Sequence, residues 1–321
     1  MDRFKSLIDQ RVPLKYINID HDMTSYDCQM SLINFIKSQS SQNPFYFKGL
    51  LSKYIKILEK SNEDVLDALY DLFLNPNIFN AKENSPDTPD FIKYHVSGFQ
   101  QISEKDSDNI IIKEQPRLIS GKNTTGLRTW EAALYLSNGL NEESSLIPFN
   151  LDDKTILELG CGTGLLSLSL AKVYHRKTKL KRIIMSDGST TVFENFSEIV
   201  KVNNINDENL IKCQQLIWGE ENMIKESIDL VIAADVTYDS TVLDPLCQTI
   251  DDLFKQNDLK LTLIACTIRN IDTINSWEEK LDKWFPNRWS IAKSEKSPGL
   301  MRSMCFFNPT TPEIRIYSIK N

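Results

Sequence analysis

Apolar positions in this chain follow two rhythms, and the change between them divides it. Through residues 1 to about 80 they recur at steps of three and four, as in SLINFIKSQ and FKGLLSKYIKILEK, where Leu50, Tyr54, Ile57 and Leu58 share a face. EDVLDALYDLFL continues the pattern through Val65, Leu66, Leu69, Leu72 and Phe73. The spacing predicts helices, with Ser61 as an N-cap ahead of first-turn acids and Asn75-Pro76-Asn77 as the stop. Residues 82–91 are polar, carry two prolines and read as a linker. Weak alternation over 94–112 predicts a hairpin with a polar tip at 104–109. Beyond Gly126 a helix carries Trp130, Ala133, Leu134 and Leu140 at matching spacing.

From residue 155 the rhythm changes to short apolar runs. Those at 155–157, 181–186, 211–216, 229–233 and 261–266 predict buried strands, interleaved with helical segments such as 243–254 and 271–284. Residues 289–293, 304–307 and 313–318 supply the last strand candidates. Such alternation followed by terminal strands predicts an α/β fold, a parallel sheet with an antiparallel edge. The expected organisation is a helical region at 1–80, a linker and hairpin at 81–115, and an α/β domain at 116–321.

Composition narrows the classes. The 321 residues are 41% hydrophobic and 25% charged, ordinary values for a globular protein with room for a sizeable core. No run approaches a membrane span, and the charged start MDRFKSLIDQR lacks a signal-peptide core, so the cytoplasm and no membrane partner are expected. A net charge of −7 argues against nucleic acid as partner. Six scattered cysteines without a C-x-x-C pair and three histidines in unrelated contexts argue for reduced thiols and no metal.

Candidate chemistry centres on TILELGCGTGLLSLSLAKVY at 155–174. A strand runs into Glu158, the glycines Gly160, Gly162 and Gly164 alternate, and a helix begins at once. A dinucleotide fingerprint would place its third glycine at position 165, where the chain has Leu165, which disfavours a nicotinamide-dependent oxidoreductase. The E-x-G-x-G-x-G pattern instead resembles motif I of the seven-strand S-adenosylmethionine (SAM) methyltransferases. Asp187 closes the next strand, where α/β cofactor folds place the acid that accepts both ribose hydroxyls; as an alternative it caps the helix that follows. Trp218, just past the third strand, suits stacking on adenine or a place in the core, and Trp130 suits a cap over the cofactor or the core.

The fourth strand delivers Ala234-Asp235-Val236-Thr237-Tyr238 to its C-terminal end, where open α/β sheets bind ligands. Enzymes that methylate planar amides or base amines often carry paired prolines here. This chain has none, which suits a lysine acceptor. A lysine ammonium, pKa about 10.4, has no lone pair and must lose its proton before it can attack. Asp235 can orient the amine, and the Tyr238 ring can receive the cationic and methylated forms; the bland alternative is that both only shape a loop.

Taken together, ELGCGTG, VIAADVTYD and GLRTWEAALYL resemble the family of seven-strand protein-lysine methyltransferases, which carries a D/E-x-x-Y/F motif after its fourth strand. FKGLLSKYIKILEK…LDALYDLFL, TTGLRTWEAALYL and TIRNIDTINSWEEKL are similar to its elongation factor 2 lysine methyltransferase branch. The resemblance covers most of the chain and is weakest in 1–45 and 80–115. It implies a Rossmann-like, seven-strand SAM-dependent domain behind a small helical region, and methylation of a lysine of elongation factor 2, another translation factor or a chaperone. It further implies SAM contacts at Trp130, Glu158, Gly160, Cys161, Gly162, Gly164, Trp218 and Ala234, a ribose acid at Asp187, and a lysine pocket at Asp235 and Tyr238. Cys161 stands where relatives often have serine, so only its backbone matters. Arg269-Asn270 lies near the expected mouth, with substrate contact and fold stabilisation as alternatives. A monomer is expected. A SAM-binding interaction protein without transfer activity is the remaining class, and the intact Asp235 and Tyr238 argue against it.

Overall fold

In the computed structural model, which describes residues 1–61, 63–96, 109–142, 146–220, 224–256, 259–301 and 304–321, the N-terminal periodicity becomes a set of short helices. These are α1 (Asp2–Asp9), α2 (Tyr26–Lys37), α3 (Pro44–Leu58), α4 (Asp67–Leu74) and α5 (Pro76–Phe79). Local chemistry starts α3: Pro44 takes a first-turn position that needs no N–H, and Asn43 Oδ1 accepts from Tyr46 N at 3.1 Å. Its inward face, including Phe47, Leu50, Leu51 and Tyr54, is buried with Phe4, Ile8, Leu32 and Ile36 in a core of its own.

α4 starts later than a Ser61 cap predicts. The Ser61 hydroxyl donates back to Leu58 O at 2.7 Å and accepts from Glu63 N at 3.2 Å, and the helix begins after Leu66, whose N–H is accepted by Gln29 Oε1 from α2 at 3.0 Å. The cap is tertiary, so the sequence around Ser61 could not reveal it.

β1 (Asp90–His95) and β2 (Asn109–Glu114) form an antiparallel hairpin, with β1 beginning inside the stretch read as linker. Of its expected polar tip, 104–108 lie outside the described residues and Asn109 opens β2. The hairpin packs on the α/β part of the chain through Ile110 and Ile112.

α6 (Glu131–Asn141) follows, with Trp130 as its N-cap and not within the helix as the spacing predicts. Then come β3 (Thr155–Leu159), α7 (Leu165–Lys172), β4 (Arg182–Asp187), α8 (Phe196–Val202) and β5 (Ile211–Gln215). After these lie β6 (Leu230–Ala234), α9 (Leu243–Gln256), β7 (Leu261–Thr267), α10 (Ile271–Trp284), β8 (Trp289–Glu295) and β9 (Ile314–Lys320). The seven-stranded sheet has the order β5-β4-β3-β6-β7-β9-β8; the first five strands run parallel and β9 is antiparallel to both neighbours. Successive strand residues feed opposite faces: Ile156, Leu230 and Leu263 pack under α6 and α7, while Leu157, Val231 and Ile264 pack under α9 and α10. Chain order diverges between β3 and β6, which opens a crevice at their C-terminal ends.

Residues 304–307 are not a strand. Gln10, the C-cap of α1, donates through Nε2 to Met304 O at 2.8 Å and accepts at Oε1 from Phe306 N at 2.9 Å, and Ser6 Oγ donates to Met304 O at 3.2 Å. One amide side chain thus supplies both bonds a neighbouring strand would give. Among the described residues no helix is long and apolar enough to cross a membrane.

Candidate active site

Beyond β3 the backbone turns at Gly160 and Gly162, both in the left-handed region (φ +62° and +51°). A Cβ on Gly160 would lie 2.8 Å from Val236 Cγ1, and one on Gly162 would lie 3.3 Å from Gly126 Cα. Segment 124–130 therefore lies directly over the glycine turn. Between them is a cavity of about 300 Å³ at the crevice of the sheet.

This cavity brings together nearly every residue the sequence singles out: Trp130, Glu158, Gly160, Cys161, Gly162, Asp187, Trp218, Ala234, Asp235 and Tyr238 all line it. Gly164 does not; it is the left-handed residue at which α7 starts (φ +79°). Cys161 is buried, its N–H bonded to Ser186 O at 2.9 Å.

The acids differ in what they touch. Glu158 is buried, and its Oε2 accepts from Ser167 N at 3.1 Å and from the Ser167 hydroxyl, so it caps the first turn of α7. Burial pushes its carboxyl up to about 8 against those two bonds, and the nearby Asp187 adds to the rise. At the end of β4, Asp187 accepts from Gly162 N (3.1 Å) and Ser189 N (2.9 Å) on separate oxygens. Burial raises its pKa, while the N–H groups of Ser189, Gly162 and Gly188 oppose the rise.

The residues present fit SAM. Bare glycine backbone forms one wall, the edge of the Trp218 ring stands beside Gly160, and the buried Trp218 Nε1 has no hydrogen-bond partner among the described residues. The Asp187 oxygens retain accepting capacity beyond the N–H groups they serve.

At the other end, Asp235 sits in the left-handed region at φ +53°, a strained place for a side-chain-bearing residue. The bonds around it hold it there. Its N–H donates to Ala265 O at 2.8 Å, Oδ1 accepts from Thr267 N at 2.7 Å, and Oδ2 accepts from Thr267 Oγ1 at 3.0 Å. Arg269 completes the set, 3.2 Å from Oδ2 and bonded also to Glu131. Tyr238 is 61% exposed at the rim, its hydroxyl 3.2 Å from Thr125 Oγ1. Trp130 donates from Nε1 to Thr125 O at 3.1 Å, with the guanidinium carbons of Arg128 and Arg269 at 4.4 and 4.9 Å from its ring centre. Asn270, weighed with Arg269, caps α10 instead, accepting from Asp272 N.

Sequence reasoning passed over Arg128 and Glu131, the neighbours of Trp130, although both lie within the quoted GLRTWEAALYL. It also passed over Glu114 and Thr163. Buried Glu114 accepts from Tyr94 Oη at 2.5 Å and from Thr129 N, and Thr129 Oγ1 lies 2.8 Å from Thr163 Oγ1 in the glycine turn. No local signal marks that chain, because it joins the hairpin to the cavity through tertiary contacts.

Comparison with known proteins matches the lysine methyltransferase family to residues 104–285. The protein-lysine N-methyltransferase EFM3 of Saccharomyces cerevisiae is 29% identical over 352 residues, covering 99% of this chain and 98% of that protein. The mouse protein-lysine N-methyltransferase EEF2KMT is 30% identical over 252 residues, covering 74% of this chain and 69% of its own length. Its human namesake is 27% identical over 261 residues, covering 77% and 72%.

Proposed function

This chain belongs to the lysine methyltransferase family, and on that premise we propose that it methylates a lysine of elongation factor 2, with SAM as methyl donor. The observation that carries this reading is the continuity of one cavity from the glycine cradle to the rim formed by Asp235 and Tyr238. The similarity to EFM3 spans the N-terminal helices as well as the sheet, the same span as the elongation factor 2 branch resemblance.

When bound, SAM supplies a methyl group on a sulfonium centre. In this reading the Gly160–Gly162 backbone and Trp130 would hold its methionine end, Asp187 would accept from the ribose hydroxyls, and Trp218 would stack on the adenine. Glu158 acts through Ser167, holding the start of α7 in place. Glu131 and Asp235 draw the substrate ammonium to the mouth, while the Arg269 guanidinium and partial burial disfavour a second cation there. The lysine would give its proton to solvent, leaving a neutral amine whose lone pair is free to accept the methyl group that SAM would supply. Thr267 and Arg269 fix Asp235 so that it orients the amine for in-line attack. Residues 116–321 form the transferase domain, 1–80 and 81–115 are accessory to it, and the enzyme works as a cytoplasmic monomer.

The test combines purified protein, labelled SAM and extract from cells lacking the enzyme. A single labelled band at the size of elongation factor 2 is expected. Asp235→Ala should lower its labelling at least 100-fold with SAM affinity within about threefold. Label in a different band would discard the substrate, and equal labelling by Asp235→Ala would discard the assigned role of the carboxylate.

A further inference from the structure

Beside the transfer cavity lies a larger groove of about 770 Å³, built by all three parts of the chain. α3 contributes Phe45, Tyr46 and Ser52, and the hairpin contributes Ile92 and Tyr94. The segment that opens α6 contributes Arg128 and Trp130, and these two residues line the transfer cavity as well. A chain lying in the groove therefore reaches the transfer site at Trp130.

We propose that this groove docks the stretch of elongation factor 2 next to the methylated lysine, as an extended and largely apolar segment. The proposal rests on the methyl-transfer reading above and adds where the substrate binds. Three features favour that occupant. Most charges in the walls are matched within the protein: Arg11 pairs with Asp90 at 3.4 Å, Arg117 with Glu83 and Glu131 with Arg269, while Lys48 donates to Phe79 O at 2.5 Å. A strongly charged partner would find little to bind, whereas aromatic and aliphatic walls suit apolar side chains. At the rim, Phe45 and Phe79 are 39% and 46% exposed, with Phe73 of the groove packed edge-on against Phe79 at 5.9 Å. The walls are also tied across their seam by the Gln10 bonds to Met304 and Phe306 and by the Arg11–Asp90 pair, so docking needs little ordering of the enzyme.

Phe45→Glu places a charge at the rim on an already exposed position, and Ser52→Trp fills the groove from α3. With purified elongation factor 2 and labelled SAM, each variant should raise KM for the protein at least tenfold and leave SAM affinity within twofold. Phe45→Leu should return KM to within threefold of the parent. Unchanged KM in both disruptive variants overturns the groove, and so does a loss of SAM affinity as large as the loss in KM. If the parent labels a different protein, the elongation factor 2 assignment fails alone, and the same KM comparison on the labelled protein decides the groove.

Discussion

The crevice of the sheet and the seam where the helices and hairpin meet it hold several of their buried polar groups by different means. In the crevice, carboxylates accept from backbone N–H groups: Glu158 from Ser167, Asp187 from Gly162 and Ser189, Asp235 from Thr267. At the seam, beside the Arg11–Asp90 ion pair, neutral amides both donate and accept, each standing in for an absent backbone neighbour. Gln10 does so for 304–306, and Asn203 does so for β2, donating to Ile111 O at 2.7 Å and accepting from Ile111 N at 2.9 Å. A carboxylate brings a charge that burial opposes, and an amide brings none. The crevice should therefore respond to pH, and the seam to the loss of single hydrogen bonds.

The largest expected effect lies in the crevice. Burial raises the Glu158 carboxyl from 4.5 to about 8. Between those values the unfolded chain has released a proton that the folded chain still holds, so stability falls as pH rises through this window and levels above it. The shift corresponds to roughly 4 to 5 kcal/mol. Glu158→Gln keeps an acceptor for Ser167 and removes the titration. Urea denaturation at pH 5 and pH 8 should show the parent losing several kcal/mol and the variant losing less than half as much. Some slope remains in the variant, because burial raises Asp187 and Glu114 in the same direction. Equal slopes in parent and variant would place Glu158 at its ordinary pKa and remove the contrast.

That contrast also explains how much the sequence disclosed. Glu158, the glycines, Asp187 and Asp235 act through backbone within a few residues or at the end of an adjacent strand, so strand-turn-helix spacing exposes them. Leu66 N takes its cap from Gln29, and Met304 and Phe306 take theirs from Gln10, 294 and 296 positions away. No window of sequence around Ser61 or 304–307 contains those partners. Local propensity therefore mispredicts a cap in one place and a strand in the other.

Glu114 tests the border between the two regions, being a crevice-type acid on the seam hairpin. Glu114→Ala leaves Tyr94 Oη and Thr129 N without their acceptor, at a cost of about 2 to 3 kcal/mol. Because Thr129 Oγ1 meets Thr163 Oγ1 in the glycine turn, SAM affinity should fall about tenfold, with Glu114→Gln recovering most of it. Denaturation and calorimetric SAM titration would separate the two effects. Lost stability with unaltered SAM affinity would make the hairpin a brace for the fold and not for the cavity.

The smallest effect belongs to the seam. Gln10→Ala removes a donor to Met304 O and the acceptor of Phe306 N; Ser6 Oγ reaches Met304 O at 3.2 Å but shares its one proton with Arg3 O at 2.8 Å, so the Phe306 amide is stranded outright and the Met304 carbonyl in part. The expected cost is about 1 to 2 kcal/mol, with no dependence on pH, since no ionisable group is removed. Gln10→Glu retains the acceptor for Phe306 N and should fall between parent and alanine variant. Hydrogen exchange at the Phe306 amide should speed up in Gln10→Ala while exchange in β3 stays unchanged. Phe306 also lines the docking groove, so KM for the protein substrate should rise two- to threefold at constant SAM affinity. A pH-dependent loss in Gln10→Ala would mean that the seam, like the crevice, depends on a charge.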